Sequence, residues 1–180
     1  MKQFFLGLAL ALSMAVIHPA HAIVDPEDPT VLLAHDRYSH AVDRLVRRGE
    51  YSQALKLIDD ALKKNPLSVQ LRFQRCVVYE RMGETEKARL ELEAFIKRYP
   101  EIAEPYNNLA VIYSQRGNLD RAQELIERAL SLRPNFALAY SNLGNLYLAR
   151  ARNAFDQSLS IAPNNKALRD KLKTVETLLK

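Results

Sequence analysis

Three prolines recur at a fixed interval: Pro66, Pro100 and Pro134, each 34 residues after the last. Proline removes a backbone donor and clashes with the preceding turn, so in a helical sequence each one ends a helix. Other residues repeat in phase with them. Seventeen residues before each proline stand Gly49, Gly83 and Gly117, and twelve before stand Ala54, Ala88 and Ala122. Five before lie Ala61, Phe95 and Ala129; twenty-one before lie Leu45, Tyr79 and Tyr113; twenty-eight before lie Tyr38, Arg72 and Tyr106. A 34-residue period is the mark of a helical-hairpin array. Glycine takes the positive φ that ends one helix, alanines let two antiparallel helices approach closely, and proline stops the second. Apolar residues between these marks step by three and four, and no alternating run suggests a strand. The chain is expected to be all-α, a stack of antiparallel helical hairpins in which each unit buries its apolar face only against its neighbours.

These columns resemble the tetratricopeptide repeat (TPR) family. The likeness covers roughly residues 35–163, and the third repeat carries it best, with Tyr106, Leu109, Ala110, Tyr113, Gly117, Ala122, Ala129 and Pro134. The second departs most, with Arg72 and Arg75 in place of an aromatic residue and a Leu, and Phe95 in place of Ala. The resemblance implies a right-handed superhelical solenoid whose first helices line a concave groove. On this frame residues 23–34 are a lead-in and the start of the first helix, and repeats occupy 35–68, 69–102, 103–136 and 137–163. Residues 164–180, with Leu168, Leu172, Val175 and Leu179 on one side, resemble the capping helix that closes such arrays.

The fourth repeat is short. Its first helix nearly copies the third, with Tyr140, Leu143, Gly144 and Tyr147, yet its closing Pro163 follows Pro134 by only 29 residues. The five missing residues fall between Arg150 and Ala151 and include the glycine turn. Without that turn the apolar steps run on through Leu148, Ala151, Ala154, Phe155, Ser158, Leu159 and Ala162, which predicts one helix over about 137–162. A helix that does not fold back leaves its apolar face to another partner, and a domain-swapped or end-to-end homodimer supplies one. The alternative is a cramped turn at Arg150–Asn153 and a ragged monomeric end.

The first 22 residues read as a cleavable signal peptide: Lys2, an apolar run from Phe4 to Ile17, then Ala20-His21-Ala22 before the cut. The other reading is an uncleaved anchor, for which the run falls short of the ~20 residues a span needs. The expectation is export, cleavage after Ala22 and a bacterial periplasmic location, with no integral span in the mature chain. Removing Lys2 lowers the net charge from +5 to +4, and the charges are spread along helices, which argues against nucleic acid as a partner. The lone Cys76 has no internal disulfide partner and falls in the small-residue column with Ala110 and Gly144, so it reads as a small buried apolar residue.

Catalytic motifs are missing from the pattern: no nucleophile elbow, phosphate loop, paired-cysteine spacing or His-Glu-x-x-His run occurs. Asp36, His40 and Asp43 share a helix face by spacing but read as a surface ion pair. Neither an enzyme, a metal site nor a cofactor is expected. The resemblance instead points six positions of each first helix into the groove. Carried over, these give Phe73 and Gln74 in the second repeat, Asn107, Asn108 and Val111 in the third, and Asn142 and Asn145 in the fourth as candidate partner-binding residues. Side-chain amides both donate and accept, so such a strip suits the main chain of an extended segment; the same asparagines also read as repeat consensus facing water. The positions that hold cations in carboxylate-clamping relatives are Glu104, Asn108, Leu138 and Asn142 here, so no such clamp is expected. The resemblance implies a scaffold or assembly factor binding an envelope protein or peptide, with cytochrome maturation, pilus or secretin assembly and cell-wall coordination all open. The alternative is a structural self-assembler built on the fused fourth repeat.

Overall fold

The computed structural model describes residues 29–179, with side chains from Arg37 onward. The predicted leader and its cleavage after Ala22 lie outside the described residues, as do the side chains of His35 and Asp36. Among the described residues eight helices follow one another: α1 Pro29–Arg47, α2 Tyr51–Lys64, α3 Val69–Arg81, α4 Thr85–Arg98, α5 Ala103–Gln115, α6 Leu119–Leu132, α7 Ala137–Ile161 and α8 Lys166–Leu178. Among the described residues there is no strand, and no helix is long and apolar enough to cross a membrane.

The sequence marks act where their chemistry demands. Gly49, Gly83 and Gly117 have φ of +74°, +74° and +78° and end the first helix of each hairpin. At the α5 end, the N–H of Gly117 donates to the Ser114 carbonyl at 2.9 Å and that of Asn118 to the Tyr113 carbonyl at 3.0 Å. This pair of bonds satisfies carbonyls that the helix end would otherwise leave open. A Cβ at these glycines would meet nothing within 4 Å, so the backbone torsion alone calls for glycine. The second helices stop at Lys64, Arg98 and Leu132, each two residues before its proline. Side-chain caps start several helices: Ser68 accepts from the Leu71 N–H, Asn118 from that of Arg121 and Asn165 from that of Leu168.

Each helix packs on the next, and the first helices also meet directly, α1 on α3 and α5 on α7. The core falls into two parts. Val42, Ala54, Ile58, Ala61, Leu71 and Val78 fill the first hairpin and its junction with α3. A larger cluster runs from Cys76 through Leu92, Phe95, Leu109, Ile112, Leu125 and Ile126 to Ala139 and Leu146. Helix α3 belongs to both, so the unusual residues of the second repeat sit at the seam. Their substitutions are compensated. Arg72 donates through Nε and Nη2 to the Pro66 carbonyl, at 3.1 and 2.6 Å. Arg75 pairs with Glu91 at 2.9 Å and Asp59 at 3.6 Å. The buried Phe95 ring lies 5.7 Å from that of Phe73 and 4.9 Å from that of Tyr99, an aromatic cluster in place of a close alanine contact.

Helix α7 is one unbroken helix of 25 residues, about 37 Å long at 1.5 Å per residue. It packs on α5 and α6, with Ala139 and Leu146 joining the larger core cluster, and α8 packs on it in turn. Arg150 pairs with Asp120 in the first turn of α6 at 2.7 Å. A cleft of about 360 Å³ opens there, between Gly117–Asp120 and Asn153, Ala154 and Gln157.

Candidate functional site

Three side-chain contacts run between successive first helices and define the inner face of the array. From α3, Gln74 Nε2 donates to the Ser39 carbonyl at 3.1 Å and to Asp43 Oδ1 at 2.8 Å on α1. From α5, Asn108 Nδ2 donates to Glu80 Oε2 on α3 at 3.4 Å. From α7, Asn142 Nδ2 donates to Asn107 Oδ1 on α5 at 2.8 Å. Within α5, Asn107 Nδ2 donates to Asn108 Oδ1 at 3.4 Å. The result is a directional relay, Asn142 to Asn107 to Asn108 to Glu80, that joins repeats four, three and two along the groove floor.

These contacts engage two residues that the spacing assigned to a partner. Gln74 and Asn107 are only 6% and 1% exposed. Burial takes both out of the surface that a partner can touch, because an amide buried at a helix–helix seam is spent on satisfying its neighbours. Both bond across a seam between successive first helices. Asn142 is half-buried and shares this duty. Asn108 and Val111 are half-buried on α5, Phe73 is half-buried against Phe95, and Asn145 is exposed on α7. Those four keep some exposure, in contrast to Gln74 and Asn107.

Glu80 stands at an inward position of the second repeat by the resemblance, though it is not among the candidate partner-binding residues. Burial pushes its carboxyl above the usual range, with Arg81 opposing more weakly. No salt bridge to Glu80 occurs among the described residues; its polar contact is the Asn108 amide. The signal in the sequence was only an acidic residue at an inward column, and its desolvation depends on how closely α5 approaches α3. Glu104, also inward by spacing, is engaged by Arg133 at 2.6 Å. A desolvated carboxylate with no salt-bridge partner, flanked by amides, repels anionic ligands and favours neutral or cationic ones.

The remaining chemistry is structural. Among the described residues no group of His, Cys, Asp and Glu could hold a metal ion. Burial, chiefly, pushes the Cys76 thiol up to about 12, so it carries almost no thiolate at neutral pH.

The comparisons with known proteins agree with this geometry. Family models described as tetratricopeptide repeat match residues 41–101 and 103–136, together more than half of the chain. The chain belongs to the tetratricopeptide repeat family. A solved tetratricopeptide repeat protein from Parabacteroides merdae is similar, with a TM-score of 0.59 at 20% identity over 86% of this chain and 61% of that one. The present chain thus spans less than two thirds of that relative's length. The pilF protein of Pseudomonas aeruginosa gives a TM-score of 0.58 at 21% identity, covering 79% of this chain and 67% of that one. The first TPR of Spaghetti (RPAP3), bound to the HSP90 peptide SRMEEVD, gives 0.58 at 19% identity, covering 65% and 93%. At these identities the likeness is one of fold. A search of curated proteins returned no match.

Proposed function

We propose that the protein is an exported bacterial binding module that holds an extended segment of an envelope protein in the groove of α1, α3, α5 and α7, and acts as a scaffold or assembly factor. The observation that carries this reading is the split among the inner-face amides. Gln74, Asn107 and Asn142 are committed to the array, while Asn108, whose two relay bonds are both long at 3.4 Å, and Asn145 stand at its surface beside Val111 and Phe73. The committed set fixes the spacing of the helices; the surface set offers donors and acceptors to a peptide main chain of any sequence. Glu80 adds a preference. The segment is neutral or basic where it crosses α3, and the acidic peptide of the Spaghetti complex is the wrong kind of ligand for this floor. Export rests on the pattern of residues 1–22, and N-terminal sequencing of the protein from periplasmic extract is expected to begin at Ile23.

The test is capture from envelope extract with purified protein on a support. Wild type is expected to retain a defined partner that the Asn108→Ala/Asn145→Ala variant releases, with helical circular dichroism unchanged. Glu80→Gln is expected to weaken retention of a basic segment and to reduce the salt dependence of binding. Equal capture by wild type and the double-alanine variant would sink the groove reading.

A further inference from the structure

The fourth repeat exposes a surface that the other hairpins cover. In the second and third repeats the small-residue column of the first helix, Cys76 and Ala110, is 1% and 0% exposed inside the hairpins α3–α4 and α5–α6. In the fourth the same column is Gly144, which is exposed, and a Cβ there would meet nothing within 4 Å. Its flanking residues Tyr140 and Tyr147 are 55% and 52% exposed, whereas Tyr106 in the third repeat is buried and Tyr113 donates to Glu93 at 2.6 Å. From Ala137 to Ala149 the helix carries no charged side chain. This is the bed for a second helix, left empty.

The helix that fits the bed is present in the same chain but points away. Counting back from Pro163, Ala151, Phe155 and Ser158 occupy the columns that hold Ala122, Ile126 and Ala129 in the third repeat. The residues equivalent to Gly117–Arg121 are missing, so this segment continues α7 and does not turn back onto it. We propose that residues 151–161 of α7 from a second copy occupy the Tyr140–Gly144–Tyr147 surface, and the reverse, so that two chains complete each other's fourth repeat.

The register follows from the intact hairpin. There α5 and α6 reverse about Asn118, so residues equally distant from it, such as Ala110 and Ile126, come opposite one another. The same columns in the fourth repeat are Gly144 and Phe155. An antiparallel pair of α7 helices in this register has its two-fold axis between Ala149 and Arg150, and every contact occurs twice, as an isologous interface requires. The volumes match as well. An Ala–Ile pair in the third repeat becomes a Gly–Phe pair in the fourth, the smaller residue on one helix accommodating the larger on the other. A partner of foreign sequence would have no reason to keep these columns; a second copy carries them already.

Light scattering of the full exported chain over a wide concentration range reads the outcome. Wild type is expected at the mass of two copies. Inserting Gly-Asn-Leu-Asp-Arg between Arg150 and Ala151 restores the turn and is expected to give one copy with unchanged helical content. Gly144→Arg, harmless on an open surface, is expected to give one copy too. The Gly144→Cys/Phe155→Cys variant separates the proposal from a fold failure. Its thiols lie about 16 Å apart along one helix, beyond the roughly 7 Å a disulfide spans, so mild oxidation can join them only between antiparallel copies. A covalent two-copy species on a non-reducing gel supports the proposal. A wild-type chain that stays single at every concentration, an inserted variant that keeps the double mass, or a double-cysteine variant that fails to cross-link overturns it.

Discussion

Replacing Asn107 tests whether the amide relay holds the array together. Its side chain is 1% exposed, accepts from Asn142 at 2.8 Å and donates to Asn108 at 3.4 Å. The first bond has near-ideal length and is worth about 1 kcal/mol net; the second is at the edge of the useful range and adds little. Asn107→Ala also leaves a carboxamide-sized gap at a helix seam and an orphaned donor on Asn142, which is half-buried and recovers water in part. Together these costs come to about 2 kcal/mol. For a domain of this size each kcal/mol moves Tm by roughly 2–4 °C, so a fall of about 4–8 °C is expected in thermal unfolding followed by circular dichroism. Asn107→Asp is the sharper variant. A carboxylate still accepts from Asn142, but it sets an oxygen against Asn108 Oδ1 and buries a charge. Burial raises its folded pKa above the unfolded value. The folded state then binds the extra proton, so stability is present at acid pH and lost as pH rises through the folded pKa. An Asn107→Ala chain within about 0.5 kcal/mol of wild type, with an Asn107→Asp chain indifferent to pH, would mean that this amide faces water and that the relay carries no load.

Gly117→Ala forces an L-residue to φ +78° with no steric neighbour to blame, and is expected to cost about 1 kcal/mol in urea unfolding, the torsional penalty alone. Side-chain bonds from Arg89 and then Arg116 hold the Glu86 carboxyl down at about 2, so its folded pKa lies below the unfolded value near 4.5. Its stabilisation is therefore complete above about pH 4.5 and lost as pH falls toward 2; acid titration of Glu86→Gln is expected to show a shallower loss, and added salt to narrow the difference. Cys76, 1% exposed with its thiol pushed up to about 12, is expected to resist alkylation at pH 8 until urea unfolds the chain; rapid labelling of the native protein would contradict its burial.

Residues with only local duties were readable from their spacing. The 34-residue beat placed glycines where φ must be positive and prolines just past each second helix, and these need no knowledge of distant neighbours. The absence of a turn between Arg150 and Ala151 works the same way: with no residue there to break the 3.6-residue period, the backbone bonds of α7 continue. The inner face was legible only as a set of columns. Asn107 and Asn108 are adjacent and chemically identical, yet one is buried and the other half-exposed. That division depends on where α7 sets Asn142, a contact 35 residues away. Gln74 is drawn inward in the same manner by Ser39 and Asp43 on α1. For Glu80 the cause is desolvation, which periodicity does not encode. Arg72, Arg75 and Phe95 departed from the family pattern for reasons equally non-local, since each found a partner on a neighbouring helix or turn.

The two uses proposed for α7 do not compete, because they fall on different sides of the helix. At 100° per residue, Tyr140, Gly144 and Tyr147 lie within about 60° of one another, while Asn142 and Asn145 lie roughly 100–160° from them. The first set meets a second copy; the second forms the last wall of the groove. A paired molecule would therefore carry two complete grooves related by a two-fold axis, joined by helices about 37 Å long that contain no glycine or proline between Asn145 and Ile161 to act as a hinge. Such a frame fixes the separation of its two ligand segments, and a partner that presents two copies of its segment at that separation gains by effective concentration without any new contact. The turn-restoring insertion isolates this gain. It leaves Phe73, Asn108, Val111 and Asn145 unchanged, so a single peptide should bind wild type and inserted chain with equal affinity. A tandem peptide with a linker able to span both grooves should bind the wild type more tightly by at least an order of magnitude, and the inserted chain no better than the single peptide. Equal binding of the tandem peptide to both chains would show that α7 joins no pair of grooves, whatever the groove itself holds.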